Sequence, residues 1–387
     1  MNPIKESVEA FLKAVESMAD DRNPMEWFDS LVRVNECARM IESNAIGADI
    51  SEISRAAREI LPVLDAHYPQ VGGECALVLG VLVEKGLPVE IIGGPLLNGI
   101  QKTMELLLTF LEKVKEDIPE TETDINEEKG GYWVENRYIS TRKAQEYWMR
   151  DSRLPQAYAS IDNWIRGVVA ILSRDRNLLR IARSNSRIVY LADELNLAAL
   201  RMLLQILEHE MIVVLHPETE QGYLISIDGI TDNYQLHILL SDALIVEKKG
   251  ILFSKGPRFG IQGKRPPKEV VEVMQGDGPQ CIETPSIGTW NLYHWTAVGE
   301  DGKLPENPEA QDWIWNEGIP ADILKLEGNR IVLLGEPKYF RSWKTCRSID
   351  ALKGKIEIQK VMTRSEVTDW MNHLAASKRN AVKTAVS

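Results

Sequence analysis

The chain has 387 residues, 44% of them hydrophobic and 26% charged. That is ordinary for a globular protein and more length than one core needs, so two domains are expected. No apolar run of about 18 residues occurs, so no membrane span is expected. The net charge of −12 makes nucleic acid and anionic membranes poor partners, because both attract clustered Lys and Arg.

The start, MNPIKESVEAFLKAVESMADD, lacks the compact apolar segment of a secretory leader and reads as part of the fold. Ile4, Val8, Phe11, Leu12 and Val15 form one stripe at helical spacing. A second helix follows, with Pro24 suited to its first turn. Asp49 and Glu52 then sit at capping-box spacing before a third. VGGECALVLGVLVEKG is helical up to Gly86, a natural stop, and another helix runs from about Leu96. The stretch 116–130 is dense in acids and poor in apolar residues, which predicts a flexible loop. Further helices follow. In the last, Ile188, Leu191, Leu195, Ala199, Met202 and Ile206 recur every three or four residues. Consecutive amphipathic helices predict a bundle or stacked helix pairs over 1–210. No repeat with a period of about 30 to 50 residues is evident.

The character changes near Met211. MIVVLH and GYLISIDG read as strands of a hairpin, joined by the turn-rich PETEQG. TDNYQLHILLSDALIVEKKG is a helix with Leu236, Leu239, Leu240 and Leu244 on a stripe, capped by Asp232 or Thr231. GILFSKG, SIGTWNLYHWTAVGEDGK, GNRIVLLGEPKYF and GKIEIQKVM are strand candidates. A helix over 364–378 closes the chain, with Thr363 and Glu366 as its capping box. Strands and helices do not alternate regularly, so 211–387 is expected to be a smaller α+β domain with a largely antiparallel sheet.

The cysteines Cys37, Cys75, Cys281 and Cys346 are far apart, with no close pair of zinc ligands. Four thiols in so long a chain read as free cysteines of a cytoplasmic protein rather than a disulfide framework. His216-Pro217-Glu218 imitates the H-x-E of zinc deaminases, but the P-C-x-x-C that would complete the shell is missing. No HExxH and no G-x-S-x-G occurs. GPRFGIQGKR fails the phosphate-loop template, with Arg258 and Arg265 at positions where glycine and Ser or Thr belong. Its basic charge, like that of the tail SKRNAVKTAVS, suits a solvated surface.

A looser set remains. His216, His237, His294, Asp228 and Asp232 could hold zinc or iron as a metal-dependent hydrolase if the fold gathered them, although nothing in their spacing forces this. The second half also concentrates tryptophan: Trp290, Trp295, Trp313, Trp315 and Trp343. Such rings supply core volume, a protein-partner surface, or a platform for sugar or peptide. In DWIWNEG, strand alternation puts Trp313 and Trp315 on one side and Ile314 on the other. The leading expectation is a non-enzymatic protein-interaction or regulatory module with no cofactor. The metal-dependent enzyme and the tryptophan-based binding module are the alternatives.

Overall fold

A computed structural model describes residues 3–20, 24–65, 68–118, 120, 131–246 and 260–386. The chain parts into two compact units between Leu204 and Gln205. The architecture is α+β: helices first, then a region with a mostly antiparallel mixed sheet.

The first unit contains α1 (Pro3–Asp20), α2 (Pro24–Asn44), α3 (Ile50–Ile60), α4 (Pro69–Glu84), α5 (Gly93–Asp117), strands β1 (Gly131–Val134) and β2 (Arg137–Ser140), α6 (Thr141–Arg150), α7 (Arg153–Leu172), α8 (Arg176–Ser184), α9 (Ser186–Glu194) and α10 (Ala198–Leu204). The α3 capping box forms as its spacing predicts. The Glu52 amide donates to Asp49 Oδ1 at 2.9 Å, and the Asp49 amide donates to Glu52 Oε2 at 3.2 Å. Trp164 on α7 is 1% exposed. Its indole N–H donates to the Pro69 carbonyl at 2.9 Å. The ring fits there because Gly72, Gly73 and Gly99 have no Cβ; one added at Gly99 would lie 2.4 Å from the ring. Gly167 lets α7 approach α4 closely, since a Cβ there would meet the Ala76 carbonyl oxygen at 2.2 Å.

Three sequence expectations change in this unit. It is not all helical, because β1 and β2 form an antiparallel hairpin. Val134 and Ile139 of that hairpin are buried beside Phe110 and Tyr147. Its turn places Glu135 at φ 50°, a left-handed position where glycine or asparagine is the usual signal. Second, the stripe from Ile188 to Ile206 is not one helix. Asn196 takes φ 49° and ends α9. The amides of Leu197 and Asn196 donate to the carbonyls of Ala192 and Asp193, which is a Schellman closure. Third, α8 lies in a segment given no element from the sequence. Of the acidic stretch 116–130, α5 covers the start through Asp117, while residues 119 and 121–130 lie outside the described residues.

The second unit contains β3 (Glu210–His216), β4 (Gln221–Asp228), α11 (Asn233–Leu244), β5 (Ile245–Val246), β6 (Ile261–Gln262), α12 (Lys268–Gln275), β7 (Cys281–Ile287), β8 (Asn291–His294), β9 (Lys325–Leu326), β10 (Asn329–Gly335), β11 (Ser342–Cys346), β12 (Lys355–Val361) and α13 (Arg364–Val386). The main sheet runs in the order β12-β4-β3-β10-β8, with β9 added to β10. All of its pairs are antiparallel except β3–β10. Alternation along the strands gives the sheet two apolar faces. Ile212, Val214, Tyr223, Ile225, Val332 and Leu334 pack with α11 and α12. Val213, Leu215, Ile331 and Leu333 pack on the other face with Val367, Met371 and Leu374 of α13. At the start of α13 the Glu366 amide donates to Thr363 Oγ1 at 3.3 Å, and the Thr363 amide donates to Glu366 Oε2 at 2.8 Å. The helix runs on past the expected 378 to Val386. The strand expected at GILFSKG lies outside the described residues.

One correction concerns the cysteines. Cys281 and Cys346 face each other across the antiparallel pair β7–β11 and are joined as a disulfide, with Cα atoms 4.2 Å apart. Cys37 and Cys75 are free. The pair is separated by 65 residues in sequence, and only strand register brings its members together. Among the described residues no helix is long and apolar enough to cross a membrane.

Candidate functional site

Because β3 and β10 are parallel, both end at the same edge of the sheet. The chain leaves β3 through the 3-10 turn Pro217–Thr219 and leaves β10 through Glu336 and Pro337. These exits, the loop around 301–307 and one side of α13 enclose a cleft of about 920 Å³. Its volume falls within the range of small-molecule sites. Tyr293, Leu304, Val367 and Met371 supply the apolar floor.

The loop is held by its own backbone and by α13. The Gly299 amide donates to the Lys303 carbonyl at 2.7 Å, and Asp301 Oδ1 accepts the Lys303 amide at 3.1 Å. From α13, Lys378 Nζ donates to the Thr296 carbonyl at 2.5 Å, and Arg379 donates to the Glu300 carbonyl at 2.6 Å. The ionisable lining is unbalanced: it holds Glu218, Glu220, Asp301, Glu306 and Glu336 against Lys303 and Lys338. Lys338 is engaged, since its Nζ donates to Asn307 Oδ1 at 2.6 Å. Glu220 has Arg364 at 3.7 Å. Glu218, Glu306 and Glu336 are exposed and form no ion pair among the described residues.

His216 stands beside this cleft. Its Nδ1 accepts the Thr219 amide at 3.4 Å, closing the turn that carries Glu218. Burial pushes the imidazole pKa below its usual value, while the charges of Glu218 and Glu336 pull it back up. Glu218 and Glu336 lie on the exits of the two parallel strands.

The other sequence candidates are dispersed. His237 is fully buried on α11. Its Nε2 accepts the backbone amides of Thr289 at 2.9 Å and Trp290 at 3.4 Å. Burial, and then the charge of Arg341, push its pKa down to about 3, against a weaker opposing effect of Asn316. His294 Nδ1 accepts the Leu324 amide at 3.2 Å, and burial lowers its pKa. Asp232 is the α11 cap, accepting from the Gln235 amide at 2.8 Å, from Thr231 Oγ1 at 3.1 Å and from Ser348 Oγ. His216 is paired with Gln221, so Asp228 lies at the opposite end of the β3–β4 hairpin, roughly 20 Å away at the rise of a strand. Each histidine thus serves a separate piece of backbone. Among the described residues no group of three or more His, Cys, Asp or Glu side chains could hold a metal ion.

The tryptophans divide. Trp290 is buried in the core beneath α11, and Trp343 is partly buried against it. Trp295 and Trp313 are partly buried on the α13 side. Trp315 is 54% exposed and stacks on Trp313, with centroids 5.5 Å apart and planes at 18°. Trp313 in turn meets Tyr293 edge-on at 4.9 Å. A line of rings therefore runs from the cleft wall to the surface. Tyr339 and Phe340, which follow the cleft residue Lys338, are 57% and 76% exposed.

Sequence reasoning did not single out the cleft. Its lining comes from five separated segments, and none of them carries a motif. The signal available was the pair of strand ends rich in Glu, Pro and Lys: HPETE and GEPK. No protein-family model, curated protein or solved structure matches the chain.

Proposed function

We propose that the protein is an interaction module and that the second unit binds an extended segment of a partner protein in the cleft at the ends of β3 and β10. The cleft carries this reading: it has about 920 Å³ of space, an apolar floor and a polar rim, the anatomy of a site that buries a side chain and fixes its orientation with a few polar groups. The exposed aromatics Trp315, Tyr339 and Phe340 extend the surface with rigid rings of the kind enriched at protein interfaces. The dispersal of His216, His237, His294, Asp228 and Asp232 gives the metal-dependent alternative no comparable geometry.

A displayed library of random peptides selected on the full chain tests the proposal. Thr368 is an exposed cleft residue on α13, so Thr368→Trp fills the space without disturbing a core position. The expected result is that selected peptides bind the wild type and are lost on the variant. Peptides that bind both proteins equally, or a selection that yields none, would overturn it.

A further inference from the structure

We infer that the cleft takes a cationic segment, with a lysine or arginine whose aliphatic stem lies on the apolar floor and whose charged head meets Glu218 and Glu336. This inference rests on the reading of the cleft as a partner site and adds the chemistry of the partner. The floor residues Tyr293, Leu304, Val367 and Met371 are apolar or aromatic, while the lining has five carboxylates to two lysines, with Arg364 beside Glu220 alone. A lysine or arginine is the natural side chain with an apolar stem and a charged end, and it keeps that end at the polar boundary.

The carboxylates are open to such a head. Glu218, Glu306 and Glu336 form no ion pair among the described residues, whereas Lys338 is turned to Asn307. Glu218 and Glu336 follow the neighbouring parallel strands β3 and β10, at the same edge as His216, and both line the cleft, so a cationic head seated at these strand exits is flanked by carboxylates from both. The imidazole does not neutralise them, because burial disfavours its charged form. The overall charge of −12 adds long-range attraction for a basic partner. Exposed aromatic rings nearby, Tyr339 and Phe340, offer faces to further lysine or arginine side chains.

The test measures binding of short labelled peptides to the full chain by fluorescence anisotropy. The peptides are alternating lysine–alanine, glutamate–alanine and serine–glycine, with spermidine as competitor. The lysine peptide is expected to bind best, to weaken as salt rises, and to lose roughly tenfold per carboxylate in Glu218→Gln and Glu336→Gln, as removal of a charge-assisted contact would predict. Both glutamates are exposed, so folding is retained and circular dichroism confirms it. A glutamate or neutral peptide that binds as tightly, and is still lost on Thr368→Trp, overturns the cationic inference while the partner reading stands. Binding of the lysine peptide unchanged by Thr368→Trp and by both glutamine variants overturns both. Spermidine that binds as tightly as the peptide overturns the assignment to a protein segment.

Discussion

His237 makes the second unit sensitive to acid. In the fold its ring is fully buried and Nε2 accepts two backbone amides, which only a ring with an unprotonated Nε2 can do. Its pKa falls from 6.5 to about 3, through burial first and the charge of Arg341 second. A depressed folded-state pKa means that the neutral ring stabilises fully above about pH 6.5. Below that the unfolded chain takes up a proton that the native state refuses, and the contribution is gone once pH passes the folded value. At pH 5 the difference is about 1.5 pH units, at roughly 1.4 kcal/mol each, so about 2 kcal/mol is lost. His216 and His294 shift in the same direction, so the wild type alone does not isolate the effect. The assay compares urea unfolding at pH 7.5 and pH 5 for wild type and His237→Gln. The 19F signals of 5-fluorotryptophan at Trp290 and Trp343, which flank the ring, would report on this unit. His237→Gln lowers stability at both pH values but shows about 2 kcal/mol less acid loss. An unchanged acid loss, or a native His237 resonance titrating near 6.5, would refute the reasoning.

Other outcomes follow from the same geometry. Reducing Cys281–Cys346, which closes 65 residues, costs about 4 kcal/mol on the chain-entropy account; equal urea midpoints with and without reductant would contradict it. Gly167→Ala drives a methyl into the Ala76 carbonyl at 2.2 Å and costs about 3 kcal/mol through overpacking. Hydrogen exchange along α4 and α7 would locate that loss, and unchanged protection there would show that the helices yield freely. Thr368→Trp leaves stability within about 0.5 kcal/mol because its site is exposed, so a large drop in its unfolding midpoint would spoil it as a cleft-blocking probe.

What the sequence determined is local. A cap needs two groups three residues apart, so Asp49 with Glu52 and Thr363 with Glu366 were legible, and both boxes form. Alternation of apolar residues exposed the β3–β4 hairpin, and helical spacing exposed most of the helices. Even local signals failed where a residue took an uncommon backbone conformation. Asn196 broke a continuous stripe, and Glu135 hid a hairpin turn. The tertiary structure decided what depends on register between distant segments. The parallel pairing of β3 with β10 brings HPETE and GEPK to one edge, and the β7–β11 pairing joins two cysteines 65 residues apart. The same packing separated His216, His237 and His294, because each one satisfies a different stretch of backbone. Spacing along a chain fixes neighbours within a turn or a hairpin. Which strand ends meet, and so where the cleft lies, is set by how the two faces of the sheet are buried.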